Sequence, residues 1–162
     1  MTAVSSWPEA LARLKAEVPD AITGESARPG VLAVLAVPAP SIRRLATWLR
    51  DEGTFSHCSL VLGIDWIDHM EVVYHLWSDA LKGYLELSVT LPAEDPHVDS
   101  LGGVWGGAIW HERETWDLLG IRFDGHPDPR RLLMPEGYKF HPLRKSFELR
   151  EPEELEVKSR HV

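Results

Sequence analysis

Five prolines, Pro127, Pro129, Pro135, Pro142 and Pro152, interrupt the chain after Asp124. Each fixes φ and lacks an amide hydrogen, so none fits a helix interior or a central strand, and the last third must follow an irregular path. Long regular elements are thereby confined to the residues before it. Yet segment 124–147 is no bland linker. Beside Phe123 it carries Leu132, Leu133, Met134, Tyr138, Phe140, Leu143 and Phe147, with Arg130, Arg131, Lys139, Arg144 and Lys145 set against Asp124, Asp128 and Glu136. Apolar groups without helical or strand periodicity cannot bury one another along the segment, so it is predicted to lie as a strap on some other surface. Proline lowers the cost of ordering such an arm and arginine forks match carboxylates, which favours a partner protein as that surface. The alternative is an ordered loop wrapped over its own domain.

With 162 residues the chain is long enough for one domain with its own core. Its 44% hydrophobic and 26% charged residues fit a globular class and argue against disorder. A net charge of -8 opposes a phosphate backbone, so nucleic acid is not an expected partner. Cys58 is the only cysteine, which excludes an internal disulfide, a cysteine zinc site and an iron-sulfur cluster ligated within the chain. No apolar run approaches the ~20 residues that span a bilayer, and the amino terminus lacks the pattern of a secretory signal, so a cytoplasmic setting is expected. Seven tryptophans suit a protein interface, although any single one serves equally well in a core.

Ser6, Pro8 and Glu9 combine a capping box with a first-turn proline and predict a helix over 7–17. Residues 31–37 form an unbroken apolar run, expected to be a central strand covered on both faces. Ser41, the spacing of Ile42, Leu45 and Leu49, and Gly53 mark a second helix. Strands are predicted at 59–64, 71–77 and 84–91, the last alternating Leu85, Leu87, Val89 and Leu91 with more polar residues. Short turns between them make an antiparallel meander. The expected fold class is α+β: an antiparallel or mixed sheet of about four strands with two helices on one face, spanning 1–98. A Gly-rich lead-in and a junction helix are assigned to 99–121, and an extended carboxy-terminal docking arm to 122–162. Gly102, Gly103, Gly106 and Gly107 match neither GxGxxG nor GK[ST] and are read as close backbone packing.

His111, Glu112, Glu114, His126 and His141 are of metal-ligand type. The HExxH pattern fails, because Thr115 stands where the second histidine belongs, so hydrogen-bonding histidines are the stronger reading. Glu112, Glu114 and Asp117 suggest acid/base chemistry. On a helix, however, Trp105, Ala108, Ile109, Glu112, Trp116 and Leu119 share one stripe, which turns Glu112 inward. A carboxylate there needs a cation or several donors. Arg113 and Asp117, one turn apart, are expected to pair with each other. A buried ion network is thus favoured over catalysis. No GxSxG occurs, and Cys58 in a predicted strand reads as a small buried hydrophobe.

The ordered run Glu112-Arg113-Glu114, Trp116-Asp117-Leu118, Gly120-Ile121, Phe123, Gly125-His126-Pro127-Asp128, RRLL at 130–133 and His141-Pro142-Leu143-Arg144-Lys145 resembles the signature of the thirty-kilodalton subunit of the proton-translocating NADH-quinone oxidoreductases, respiratory complex I. EVVYHLW at 71–77 and LPAEDP at 91–96 resemble that family's sheet and the link into its helix. Pro129, Phe140 and Trp116 depart from its usual residues, which leaves open an equivalent subunit of a ferredoxin-dependent complex or a membrane-bound energy-converting hydrogenase. The resemblance implies a non-catalytic subunit of the peripheral arm, on the cytoplasmic side of the cell membrane and attached to it only through the complex. Its partners would be the quinone-site subunit and the iron-sulfur subunits. It would hold no cofactor, the FMN, iron-sulfur clusters and quinone belonging to partner subunits. Glu112, Arg113, Glu114 and Asp117 would organise the junction helix. Arg130, Arg131, Arg144 and Lys145 would dock the strap, and His126 and His141 would be structural. The competing expectation is a self-contained metal-dependent enzyme using His111, Glu114, His126 and His141.

Overall fold

The computed structural model describes residues 5–148. Helix α1 (Trp7–Glu17) begins after the extended residue Ser6. Its cap is offset by one residue from the predicted box: Glu9 reaches back to Ser5, accepting its amide at 3.0 Å and its hydroxyl at 2.7 Å, while Ser6 makes no side-chain cap. Strands β1 (Gly24–Ser26) and β2 (Ala33–Ala36) follow, then helix α2 (Ile42–Asp51), which turns Ile42, Leu45 and Leu49 inward. The predicted meander is formed by β3 (His57–Asp65), β4 (His69–Ser78) and β5 (Gly83–Pro92). Beyond it come β6 (His97–Asp99), α3 (Ala108–Leu119) and β7 (Arg122–Asp124). β6 and β7 pair in parallel, so α3 is the crossover of a small β-α-β unit.

The main sheet is mixed, with five strands in the order β1-β2-β5-β4-β3 where about four were expected. The strand expected at its centre lies one place from the edge, parallel to β5 and antiparallel to β1. β5 takes the centre instead. In β2 only Ala33 and Leu35 are buried, and the small outward residue Ala36 stays half covered beside Val34. An all-apolar run carries no alternation to reveal which face is dry, so its position was not readable. Strands of three residues, as β1, β6 and β7 are, fall below the length at which a pattern can be seen.

One face of the sheet, with Leu35, Val61, Val72, Tyr74, Leu87 and Val89, shares a single core with Leu14 of α1, Leu45 and Leu49 of α2, and Ala108 and Leu119 of α3. The junction helix therefore joins the two helices expected on that face. Gly63 on β3 admits it, since a Cβ there would stand 2.7 Å from Leu119 and 2.8 Å from Thr115. Cys58 is buried in this core, as expected. The opposite face is polar at its centre, where Glu86 receives the Arg28 guanidinium at 2.8 Å and contacts His75 at 2.9 Å. Close packing explains Gly102, whose Cβ would meet Ile109 at 2.7 Å, but not Gly106, which faces open space.

Candidate functional site

The charged residues of 111–147 gather around α3 and the strap that follows β7. The helix stops at Gly120, whose φ of 75° is left-handed and whose amide closes onto the Trp116 carbonyl at 2.8 Å. A Cβ at that position would strike the His141 ring at 2.7 Å, so glycine both ends the helix and admits the strap.

Glu112 points inward, as the stripe predicts, and is fully buried. The Ser100 hydroxyl donates to it at 2.6 Å and the Leu101 amide at 2.7 Å, while His126 stands 3.9 Å away. Burial pushes its carboxyl above the usual range, and these donors only partly offset the shift. His126 accepts the Asp128 amide at Nδ1, 3.0 Å, so its proton belongs on Nε2, which lies 2.9 Å from the Ile109 carbonyl. Neither ring nitrogen is left for a metal.

Arg113 and Asp117 do not pair with each other. Arg113 donates from Nε and Nη2 to the carbonyls of Arg130 and Arg131 at 3.1 and 3.0 Å, and from Nη1 to Asp128 at 3.2 Å. Asp117, fully buried, takes the Arg131 guanidinium at 2.7 Å on one oxygen. Its other oxygen takes the amides of Leu132, Leu133 and Met134 at 3.0, 2.7 and 2.9 Å. Burial alone would raise this carboxyl, but the Met134 amide, the Arg131 guanidinium and the other two amides outweigh it and hold the group below the usual carboxylate range. A helical i,i+4 ion pair at the surface is worth only ~0.3–0.5 kcal/mol, too little to compete with such convergent sets of donors and acceptors.

The strap also satisfies the orphan carbonyls at the end of α3. Asp117 O accepts from Arg131 and from His141 Nδ1, both at 3.0 Å; Leu118 O accepts the Leu143 amide at 3.0 Å; Leu119 O accepts Arg144 Nε at 2.6 Å. Arg144 also donates to Ala93 O at 3.0 Å. Two guanidinium groups thus sit at the negative end of the helix dipole. Burial lowers the His141 pKa, the bond to Asp117 O raises it, and Arg131 and Arg144 lower it further; the net direction is down. Farther on, the Lys145 amide binds Asp65 at 2.8 Å and its ammonium lies 5.7 Å from the Trp66 ring.

From 125 to 148 the strap therefore lies on its own domain. The expectation that its cations require a partner's carboxylates is corrected for Arg131 and Arg144, because Asp117 and the end of α3 supply acceptors within the chain. Arg130 is exposed and bound to Asp128 two residues away. Glu114 is exposed. Residues 149–162 of the assigned arm, Pro152 included, lie outside the described residues. The proposed metal ligands do not meet: His126 sits at Ile109 and His141 at Asp117, roughly 12 Å apart along the helix. Among the described residues no three His, Cys, Asp or Glu groups converge. A cleft of about 250 Å³ opens between α3 and β7, but Glu112, Arg113 and His126 in its wall are already bonded within the chain. Ser100 and Asp65 were missed, since nothing in their local sequence marks them. Asp128 could have been found from its place two residues before Arg130.

A family model described as "Respiratory-chain NADH dehydrogenase, 30 Kd subunit" matches residues 35–153. The chain is 43% identical over 144 residues to an NADH-quinone oxidoreductase subunit of Roseiflexus sp. (strain RS-1), covering 86% of this chain and 82% of that one. It is 38% identical over 125 residues to the subunit of the same name from Moorella thermoacetica, covering 75% and 84%. Among solved structures, a trypsin-resistant fragment of Nqo5 superimposes with a TM-score of 0.60 at 26% identity, covering 74% of this chain and 98% of that one. A chain of the membrane-bound sulfane sulfur reductase, an archaeal respiratory membrane complex, superimposes with a TM-score of 0.70 over 96% of this chain and 94% of its own; at 21% identity this is a likeness of fold.

Proposed function

The chain belongs to the 30-kDa subunit family of respiratory-chain NADH dehydrogenases, and from that premise we propose that it acts as a non-catalytic structural subunit of the peripheral arm of an NADH-quinone oxidoreductase. The observation that carries this reading is the state of its signature residues. Glu112, Arg113, Asp117, His126, Arg131, His141 and Arg144 are all engaged in holding the strap, α3 and β6 together. Glu112, Asp117 and His126 spend their oxygens or ring nitrogens on bonds within the chain, and His141, held at Nδ1 by the Asp117 carbonyl, is bonded to no second titratable side chain among the described residues that would complete an acid/base pair. The residues act as scaffolding that fixes the outline of a docking surface.

That surface is the outer side of α3 and the strap, where Trp110, Leu133 and Leu143 are exposed. Its partner in this reading is the quinone-site subunit, with the iron-sulfur subunits alongside. FMN, clusters and quinone reside in those partners. Cys58, the only thiol, is buried and its pKa is pushed up to about 12, which suits a packing group and not a cluster ligand. No helix among the described residues is long and apolar enough to cross a membrane. Attachment on the cytoplasmic side would come through the complex.

Affinity purification of the tagged chain from detergent-treated membranes, followed by mass spectrometry and NADH:quinone assays, tests the proposal. The quinone-site and iron-sulfur subunits are expected to co-purify, with turnover in the complex and none in the isolated chain. Turnover by the isolated chain, or its purification alone, would refute the reading.

A further inference from the structure

The two edges of the main sheet are unlike. β1 closes one with three residues, too short to recruit another strand. β3 forms the other with nine, paired on one side to β4 and on its other side to no described segment. After the irregularity between Cys58 and Leu60 its pairing runs regularly from Leu60 to Asp65. No lysine, proline or internal charge guards the span from Leu60 to Ile64, although natural edge strands ordinarily carry such guards.

A groove of about 150 Å³ runs beside this edge, lined among others by Leu60, Leu62, Leu118 and Leu143. Leu143 is 59% exposed at one rim, and Trp66 and Ile67, at the turn that ends β3, are 48% and 73% exposed. Three of the six large exposed apolar side chains of the described residues thus stand around one strand edge. Ile67 has a φ of 79°, costly for a β-branched residue, and its amide is held by Asp65 at 2.7 Å. At the other rim stands Glu114, the member of the Glu112-Arg113-Glu114 run that has no polar partner among the described residues.

We propose that the outer edge of β3 receives an extended segment of a neighbouring subunit as a sixth strand of the sheet, apolar where it faces the groove and carrying a lysine or arginine opposite Glu114. The proposal rests on the reading of this chain as one component of a larger assembly. Another strand can take the whole row of free strand amides and carbonyls at once, and the groove supplies side-chain selectivity. Charge selects the occupant. A second copy would set Glu114 against its twin and one net charge of -8 against another. The chain's own end, with Glu151, Glu153, Glu154 and Glu156, would crowd acids beside Glu114. A basic, apolar strand from a partner meets neither repulsion.

Hydrogen-deuterium exchange on the wild-type chain, free and in the purified complex, reads the proposal directly. The outward amides between Leu60 and Ile64 are expected to exchange roughly tenfold more slowly, or better, in the complex, as one added hydrogen bond each requires. A photo-crosslinking amino acid in place of Leu143 should capture a single extended segment of another subunit. Glu114→Lys with Leu143→Lys, both at exposed positions, should leave the melting temperature of the free chain unchanged and abolish that protection. Capture of residues 149–162 or of a second copy, or unchanged exchange in an intact complex, would overturn the inference and leave the structural-subunit reading standing. A chain that joins no complex at all would overturn both.

Discussion

Asp117 shows how little of a buried polar residue's role resides in its neighbours in sequence. Its place on the helix was legible, and so was the inward turn of Glu112, since both follow from the 3.6-residue period. The partners of Asp117 were not, because they come from three successive amides 15 to 17 residues away and from Arg131. Asp117→Asn presents an amide group to donors and leaves Arg131 short of its counter-charge. It is expected to cost about 3 kcal/mol in chemical denaturation, whereas Glu114→Gln on the same helix should stay within about 0.5 kcal/mol. An equal cost for the two would show that the Asp117 cradle is not what seats the strap. Tyr74 makes the opposite point. Its hydroxyl is buried in the core without a hydrogen-bond partner among the described residues. Tyr74→Phe should therefore lose no stability, and a gain of up to about 1 kcal/mol is consistent with relieving an unpaired group. A clear loss would reveal a hydrogen bond to that hydroxyl.

At the scale of elements, α3 and the strap form one unit, because the helix ends in carbonyls that the strap completes. The stop at Gly120 was readable from the glycine itself. That the same glycine must be small for His141 was not, because the strap has no period from which its course could be traced. Gly120→Ala meets both demands and should cost about 1–2 kcal/mol from backbone strain alone, with displacement of His141 added to it. His141 also makes the unit sensitive to acid. Its pKa is lowered in the folded chain, so the folded state prefers the neutral ring and the unfolded state takes up a proton first as pH falls. The stability it contributes is complete above the unfolded value near 6.5 and is lost as pH drops from there through the folded value. His141→Asn keeps a donor in the place of Nδ1 but does not titrate. Denaturation midpoints between about pH 7.5 and about pH 5 should fall less steeply in the variant than in the parent, and parallel slopes would remove His141 from the account.

For the molecule as a whole, the sequence disclosed the α+β class, the meander and the junction helix, since each rests on a local period or a cap. It could not disclose that β2 lies near an edge or that β6 and β7 tie α3 into a crossover, because sheet order and three-residue pairings leave no local trace. The strap is the instructive failure. Apolar groups and cations without periodicity looked unable to satisfy themselves, so a partner's surface was expected to do it. The bonds of Arg131, His141 and Arg144 show why this was too strong: a helix end is itself a cluster of acceptors, and it lay within reach. Two functions that had been merged then separate. Inward-facing groups fix the strap to its own domain, and outward-facing ones such as Lys145 and Leu133 are left exposed. The isolated chain should accordingly be ordered through the strap, with the amides of Leu132, Leu133, Met134, Leu143 and Lys145 exchanging slowly before any partner is added. Arg144→Glu should release that protection in the free chain, since it puts an acid against the helix carbonyls, while Lys145→Glu should retain it and weaken only co-purification with the complex. Exchange of those amides at the rate of an unfolded chain, in the absence of any partner, would show that the neighbour's surface and not the end of α3 orders the strap.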